Sequence, residues 1–128
     1  MPELPDIVVY LEAIERAVGG QRLEGLRIAH LSDLHIVRRR KRFSRIKALL
    51  GNLRADLVVF TGDYISHPHN AGICAEVMKE ICEPLRPRLG VFGVFGNHDT
   101  PELRELLSEL PVHWLNNQTH WFEDLPLR

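Results

Sequence analysis

Three short segments of the sequence carry side chains that could bind metal ions and move protons. They are Asp33-Leu34-His35, Gly62-Asp63 and Gly96-Asn97-His98-Asp99. Asp33 and His35 are two residues apart, so on an extended chain both side chains leave the same face and could reach one cation. Oxygen and imidazole ligands without a thiolate indicate Mn, Fe, Zn or Ni rather than a structural zinc site of the cysteine type. Each segment alone is a weak signal, because an Asp after a strand is commonly a helix cap or a turn residue.

The residues before each motif are short apolar runs typical of buried β-strands, at 26–31, 56–60 and 90–95. Apolar stripes at helical spacing predict helices from near Ser44, from Ala71 to before Pro84, and from a Thr100 cap. Short strands are predicted at 112–115 and 119–122, and an N-terminal helix over 7–18. This order predicts an α/β fold whose mostly parallel sheet is flanked by helices. Since right-handed crossovers bring the carboxyl ends of parallel strands to one edge, the three motifs should meet there.

Length and composition are those of a single globular domain, with 128 residues, 45% of them hydrophobic and 26% charged. The net charge of -1 gives no global reason to bind nucleic acid or an acidic membrane. No apolar run approaches the ~20 residues that span a bilayer. Glu3 and Asp6 argue against a signal peptide. We therefore expect a cytoplasmic protein, with Cys74 and Cys82 as reduced thiols.

The three motifs resemble those of the calcineurin-like metallophosphoesterase family, in which D-x-H, G-D and G-N-H-[D/E] precede a later His and G-H-x-H. The resemblance covers residues 26 to about 122 and implies the first half of that family's αββα sandwich. It implies a metal-dependent hydrolase of phosphomonoesters or phosphodiesters with two divalent cations. By that resemblance the metal ligands are Asp33, His35, Asp63 and Asn97. Asp63 would bridge the two cations, His98 would act on the leaving group as the acid, and Asp99 would orient His98.

The sequence also departs from that family. No G-H-x-H motif is present, and His113 and His120 are the only imidazoles after Asp99. We interpret both as surface or strand residues. The second cation would then lack its imidazole ligands, and the first would lack one ligand. The second sheet of the sandwich is missing as well, so one face of this sheet would be exposed unless the chain forms a homodimer.

Residues 1–26 resemble a different family, the formamidopyrimidine-DNA glycosylases and endonuclease VIII, which begin with M-P-E-[LG]-P-[ED]. Here the start is Met1-Pro2-Glu3-Leu4-Pro5-Asp6. The resemblance implies that Met1 is removed, that the freed Pro2 amine attacks a damaged nucleotide and that Glu3 transfers protons. The zinc finger and the two-domain cleft of that family are absent from the sequence. We therefore interpret the chain as a fusion, with a glycosylase-like helix segment over 1–26 and a partial phosphoesterase domain over 27–128.

Three functions remain open from the sequence. The leading one is the phosphoesterase, acting on a phosphate-ester substrate and weakly active if incomplete. The second is a half-domain that binds metal or a partner without turnover. The third is a DNA glycosylase and AP lyase that acts through Pro2, although nucleic acid is not the expected partner. The basic run 38–42 is expected to be a loop, either merely solvated or attracting an anionic substrate.

Overall fold

The computed structural model of the chain describes residues 25–122, and the predicted N-terminal helix lies outside them. The described chain forms one parallel sheet and three helices, with a single 3-10 turn at Pro68–Asn70 before the second helix. The elements in chain order are β1 (Ile28–Leu31), α1 (Lys41–Leu53), β2 (Leu57–Phe60), α2 (Ala71–Cys82), β3 (Val91–Gly93), α3 (Pro101–Leu107) and β4 (His113–Trp114).

The four strands form one sheet in the order β1-β2-β3-β4, and every neighbouring pair is parallel. Ile28 pairs with Leu57, and Val58 pairs with Val91. Each crossover between these strands contains a helix, as parallel pairing of consecutive strands requires. The α/β fold with a parallel sheet and flanking helices is therefore confirmed, and the carboxyl ends of the strands share one edge.

The two faces of the sheet differ in burial. On one face Ala29, Leu31, Val58 and Phe60 are buried and belong to a single hydrophobic core with residues of all three helices. On the other face the alternate residues of β1 and β2 are only partly buried. They are Ile28, His30, Leu57 and Val59. Since side chains alternate across a strand, the helices cover the first face and leave the second less protected.

Thr100 caps α3 as predicted, because its side-chain oxygen accepts a hydrogen bond from the Leu103 amide at 3.2 Å. The basic run was expected to be a loop, but α1 already begins at Lys41. The Arg42 guanidinium, in the first turn of α1, donates to the Leu34 carbonyl at 2.8 Å and lies over the Phe43 ring. Lysine and arginine are also good helix formers.

The tail differs more from the prediction. Only His113–Trp114 pairs with the sheet, and residues 119–122 form no strand. The rings of His120 and Phe122 instead pack on Phe92, with centroid distances of 4.8 and 5.6 Å. Side-chain packing on the sheet thus replaces the second predicted strand.

Candidate metal centre

The first motif, Asp33-Leu34-His35, follows β1, and its backbone is not extended. The amide of Asp33 donates to the Gly62 carbonyl at 3.1 Å, and the amide of His35 donates to the Asp63 carbonyl at 3.1 Å. Asp33 and His35 have φ of 55° and 43°, in the left-handed region. The expectation that both side chains leave one face of an extended chain was therefore wrong about the conformation. They converge because two left-handed residues, separated by Leu34, are hydrogen-bonded to the neighbouring loop.

Donor atoms of Asp33, His35 and Asp63 all lie within 4.8 Å of one another. The His35 Nε2 is 3.7 Å from Asp33 Oδ1. Asp63 also has a positive φ, of 54°. Left-handed non-glycine residues are uncommon and concentrate at functional sites, where the surrounding structure holds them. Two carboxylates and one imidazole, half exposed at a strand edge, fit a divalent cation of the Mn, Fe, Zn or Ni type.

The His35 ring is oriented by a residue that the motif does not contain. Its Nδ1 lies 3.1 Å from the Ser66 hydroxyl, which can accept the Nδ1 hydrogen. That tautomer leaves the Nε2 lone pair facing Asp33, as a metal ligand requires. A second hydroxyl, of Ser32, donates to Asp33 Oδ2 at 2.5 Å. Nothing in the sequence singled out Ser66, since its relation to His35 exists only once the two loops lie side by side.

The second and third motifs meet through their glycines. A β-carbon on Gly62 would overlap the Gly96 amide nitrogen, and one on Gly96 would overlap the Asp63 carboxylate. The His98 amide donates to Asp63 Oδ1 at 3.3 Å. Gly62 has φ of 98°, and its close neighbour is the backbone of the third motif.

Asp99 is buried, with 5% of its surface exposed. Its carboxylate accepts hydrogen bonds from the amides of Asp63 at 3.0 Å, Tyr64 at 2.9 Å and Gly96 at 2.7 Å. Charged acceptors of this kind make strong bonds to amides, so Asp99 ties the two loops together. In the part of the chain that the structure describes, no hydrogen bond joins Asp99 to the His98 ring. The orienting role expected for Asp99 stays a prediction.

His98 and Asn97 are both exposed on the third loop. The His98 ring meets the His35 ring edge-on, with 5.9 Å between centroids. The structure therefore brings His98 beside the three clustered side chains, where an acid for a leaving group would be useful. The assignment of Asn97 as a ligand of a second cation, and of His98 as the acid, stays a prediction.

Among the described residues, none of the remaining histidines and neither thiol belongs to the group of converging donor atoms. His113 and His120 pack on the Phe92 ring, and His67 stacks on His69 in the exposed 3-10 turn. The pKa of His30 is lowered by burial, and its Nε2 lies 2.5 Å from the Thr61 hydroxyl.

Burial raises the pKa of both cysteine thiols to about 12. Cys74 and Cys82 are free and buried, as expected of reduced thiols. Because thiolate is the form that binds metal, neither competes with the oxygen and imidazole ligands.

Comparison with known proteins gives a family match over residues 26–128, to the calcineurin-like phosphoesterases. The uncharacterized metallophosphoesterase YkoQ of Bacillus subtilis is 30% identical over 94 residues, which cover 73% of this chain and 34% of that protein. A transmembrane protein with a metallophosphoesterase domain from Danio rerio is 29% identical over 126 residues, or 91% of this chain and 26% of that protein. The UDP-2,3-diacylglucosamine pyrophosphatase LpxG of Chlamydia muridarum is 34% identical over 79 residues, or 60% of this chain and 23% of that protein.

The chain thus spans about a third or less of the length of these relatives. Within residues 25–122, no helix combines the length and the apolar character needed to cross a bilayer. One relative is named as a transmembrane protein, so the cytoplasmic location stays a prediction. The glycosylase-like residues, Pro2 and Glu3 included, lie outside the described part of the chain. Their assignment, and the division at residues 26 and 27, stay predictions.

Proposed function

Because the chain belongs to the calcineurin-like phosphoesterase family, we propose that it is a metal-dependent hydrolase of phosphomonoesters or phosphodiesters. One observation carries the proposal: the donor atoms of Asp33, His35 and Asp63 converge within 4.8 Å at the carboxyl edge of a parallel sheet. Open α/β sheets bind their ligands at that edge. The pyrophosphatase among the relatives adds cleavage of a phosphoanhydride bond as a related substrate class.

In this proposal Asp33 and His35 would hold one cation, Asn97 would hold a second, and Asp63 would be a ligand of both. A divalent cation supplies charge neutralisation at the phosphoryl oxygens and lowers the pKa of a water. His98, exposed beside His35, donates a proton to the leaving oxygen. Ser66 keeps the His35 Nε2 turned toward the cluster, and Asp99 keeps the Asp63 loop in place.

This chain offers a different number of ligands to each of the two proposed cations. Three clustered side chains face the first, whereas Asp63 and Asn97 are the only proposed ligands of the second. Because affinity rises with the number of ligands, we expect one cation to bind more tightly than the other. Activity of this chain would then be weak and would depend on a high concentration of the second cation.

The experiment is a calorimetric titration of the full chain with Mn²⁺, followed by hydrolysis of bis(p-nitrophenyl) phosphate. The variant Asp63→Asn should lose most of the turnover and bind Mn²⁺ more weakly. Glu105→Gln, which removes one exposed charge on α3, should behave like the parent protein. Absence of Mn²⁺ binding together with absence of Asp63-dependent turnover would overturn the proposal.

A second candidate is a half-domain that binds metal or a partner without turnover. It is favoured by the half-buried face formed by Ile28, Leu57 and Val59, which a second copy of the chain could cover as a homodimer. Size-exclusion chromatography with light scattering measures the molar mass of the protein. Together with the metal content and an assay of turnover, it separates the two candidates. A metal-loaded dimer that hydrolyses no phosphate ester supports the half-domain, and an active monomer excludes it.

The lyase proposed for Pro2 is tested on its own. Borohydride reduction in the presence of abasic-site DNA should trap a covalent adduct if the Pro2 amine forms a Schiff base. The matched variant Pro2→Ala keeps an N-terminal amine but makes it primary. If neither protein is trapped, the lyase hypothesis fails.

A further inference from the structure

Positive charge is concentrated in one stretch of a chain whose net charge is only -1. Between Asp33 and Asp56 there is no acidic residue, yet this stretch holds half of the chain's 16 lysines and arginines. The eight are Arg38, Arg39, Arg40, Lys41, Arg42, Arg45, Lys47 and Arg54. Such a block creates a strong local potential that the net charge of -1 conceals.

The structure arranges part of this block around a groove between α1 and α2, with a volume of about 360 Å³. Phe43, Val77 and Ile81 provide apolar side chains that are almost fully buried. Arg40, Lys41 and Lys47 line the same groove and are exposed. The groove therefore combines an apolar floor with a cationic rim.

Most of these cations form no ion pair with a described residue. Arg39 is the exception, since it pairs with Glu80 and with Glu76 on α2. Within residues 25–122 no ion pair involves Arg40, Lys41 or Lys47. The first turn of α1 contains no acidic residue, and its N-cap makes no side-chain hydrogen bond. The positive end of the helix dipole therefore adds to the same potential.

We propose that this basic groove docks the protein on a membrane surface rich in anionic phospholipids. Long exposed cations without fixed partners suit a diffuse layer of headgroup phosphates better than one small anion, which would need buried and oriented donors. Apolar contact accompanies the charge, because Val37 lies next to the basic run and is 45% exposed. A nucleic acid backbone has no interior to receive such a side chain, whereas a bilayer has one.

The test is cosedimentation of the full chain with vesicles of phosphatidylcholine, with and without phosphatidylglycerol, at low and high salt. We expect binding only to the phosphatidylglycerol vesicles, and we expect high salt to weaken it. The triple variant Arg40→Gln/Lys41→Gln/Lys47→Gln should bind on the order of 100-fold more weakly, at roughly fivefold for each cation. The control Lys79→Gln/Arg86→Gln/Arg104→Gln removes the same charge from exposed positions outside the basic block and should bind normally.

Val37→Ser supplies a second arm that does not change the charge. It should weaken binding to phosphatidylglycerol vesicles severalfold and leave binding to heparin unchanged. The proposal is overturned if the parent chain does not bind phosphatidylglycerol vesicles. It is equally overturned if the two triple variants lose vesicle binding to the same extent. It is also overturned if the chain binds duplex DNA and no vesicles, which would identify a nucleic-acid surface instead.

Discussion

Gly62 lies in direct backbone contact with Gly96, so that a β-carbon on Gly62 would occupy the position of the Gly96 amide nitrogen. The two glycines belong to different motifs, 34 positions apart along the chain. Their contact lets the loops after β2 and β3 approach closely enough for Asp63 and Asp99 to share hydrogen bonds. The glycines therefore act on the metal centre through the packing of the loops and not through contact with a ligand.

Gly62→Ala should destabilise the fold by at least about 2 kcal/mol. The substitution places a side chain at a φ of 98° and against backbone atoms that cannot move aside. Urea denaturation followed by circular dichroism measures the loss. Gly51→Ala in α1 is the control, since nothing lies within 4 Å of its β-carbon position. It should stabilise the protein by about 0.5–1 kcal/mol, and equal losses in the two variants would contradict the argument.

Asp99→Asn should lower the free energy of unfolding by about 2–4 kcal/mol. The amide would replace a charged acceptor of three backbone hydrogen bonds, and its NH₂ group cannot accept any of them. Urea denaturation of the metal-free protein is the measurement, with Glu105→Gln as the exposed control. If Asp99→Asn kept full stability and lost only turnover, Asp99 would be acting on His98 rather than on the loops.

Ser66→Ala should weaken Mn²⁺ binding by about 10–100-fold without unfolding the protein. The hydroxyl 3.1 Å from His35 Nδ1 sets the tautomer and the ring orientation, and such supporting contacts commonly contribute this much to metal affinity. Calorimetry measures the affinity, and thermal denaturation checks the fold. Ser44→Ala, on the exposed surface of α1, should leave Mn²⁺ affinity unchanged. Rescue by Ser66→Thr, which keeps the hydroxyl, would support the positioning role.

Asp56 should make the stability depend on pH in the acid range. The Arg88 guanidinium, at 2.7 Å, and the Arg27 amide hold the pKa of this carboxyl below its usual value of 3.8. Since the folded pKa is the lower one, the stabilisation is complete above 3.8 and is lost as the pH falls through the folded pKa. Asp56→Asn should therefore cost about 1 kcal/mol at neutral pH.

That cost should shrink once the pH falls below 3.8. Urea denaturation of both proteins at neutral pH and at acid pH measures the difference. Glu109→Gln, exposed and outside any ion pair of the described residues, should show no such convergence. A constant difference between Asp56→Asn and the parent at every pH would contradict the expected linkage.

Local sequence signals located the strands well. The apolar runs before each motif became β1, β2 and β3, because the strands of a parallel sheet covered by helices are rich in apolar residues. The Thr100 cap could also be predicted from the sequence, since a cap depends on residues only three positions apart. The structure of residues 119–122 could not be predicted in the same way, because it depends on packing against the distant Phe92 ring.

By itself the sequence determined which residue types stand at the ends of the strands, and so the chemistry that the site can offer. Order along the chain and the handedness of the crossovers then placed Asp33, His35 and Asp63 at one edge. Tertiary structure alone decided how they converge, through left-handed backbone and bonds between loops. It also decided that Ser66 supports His35 and that Asp99 ties two loops together, because hydrogen bonds between distant segments leave no periodic trace in the sequence.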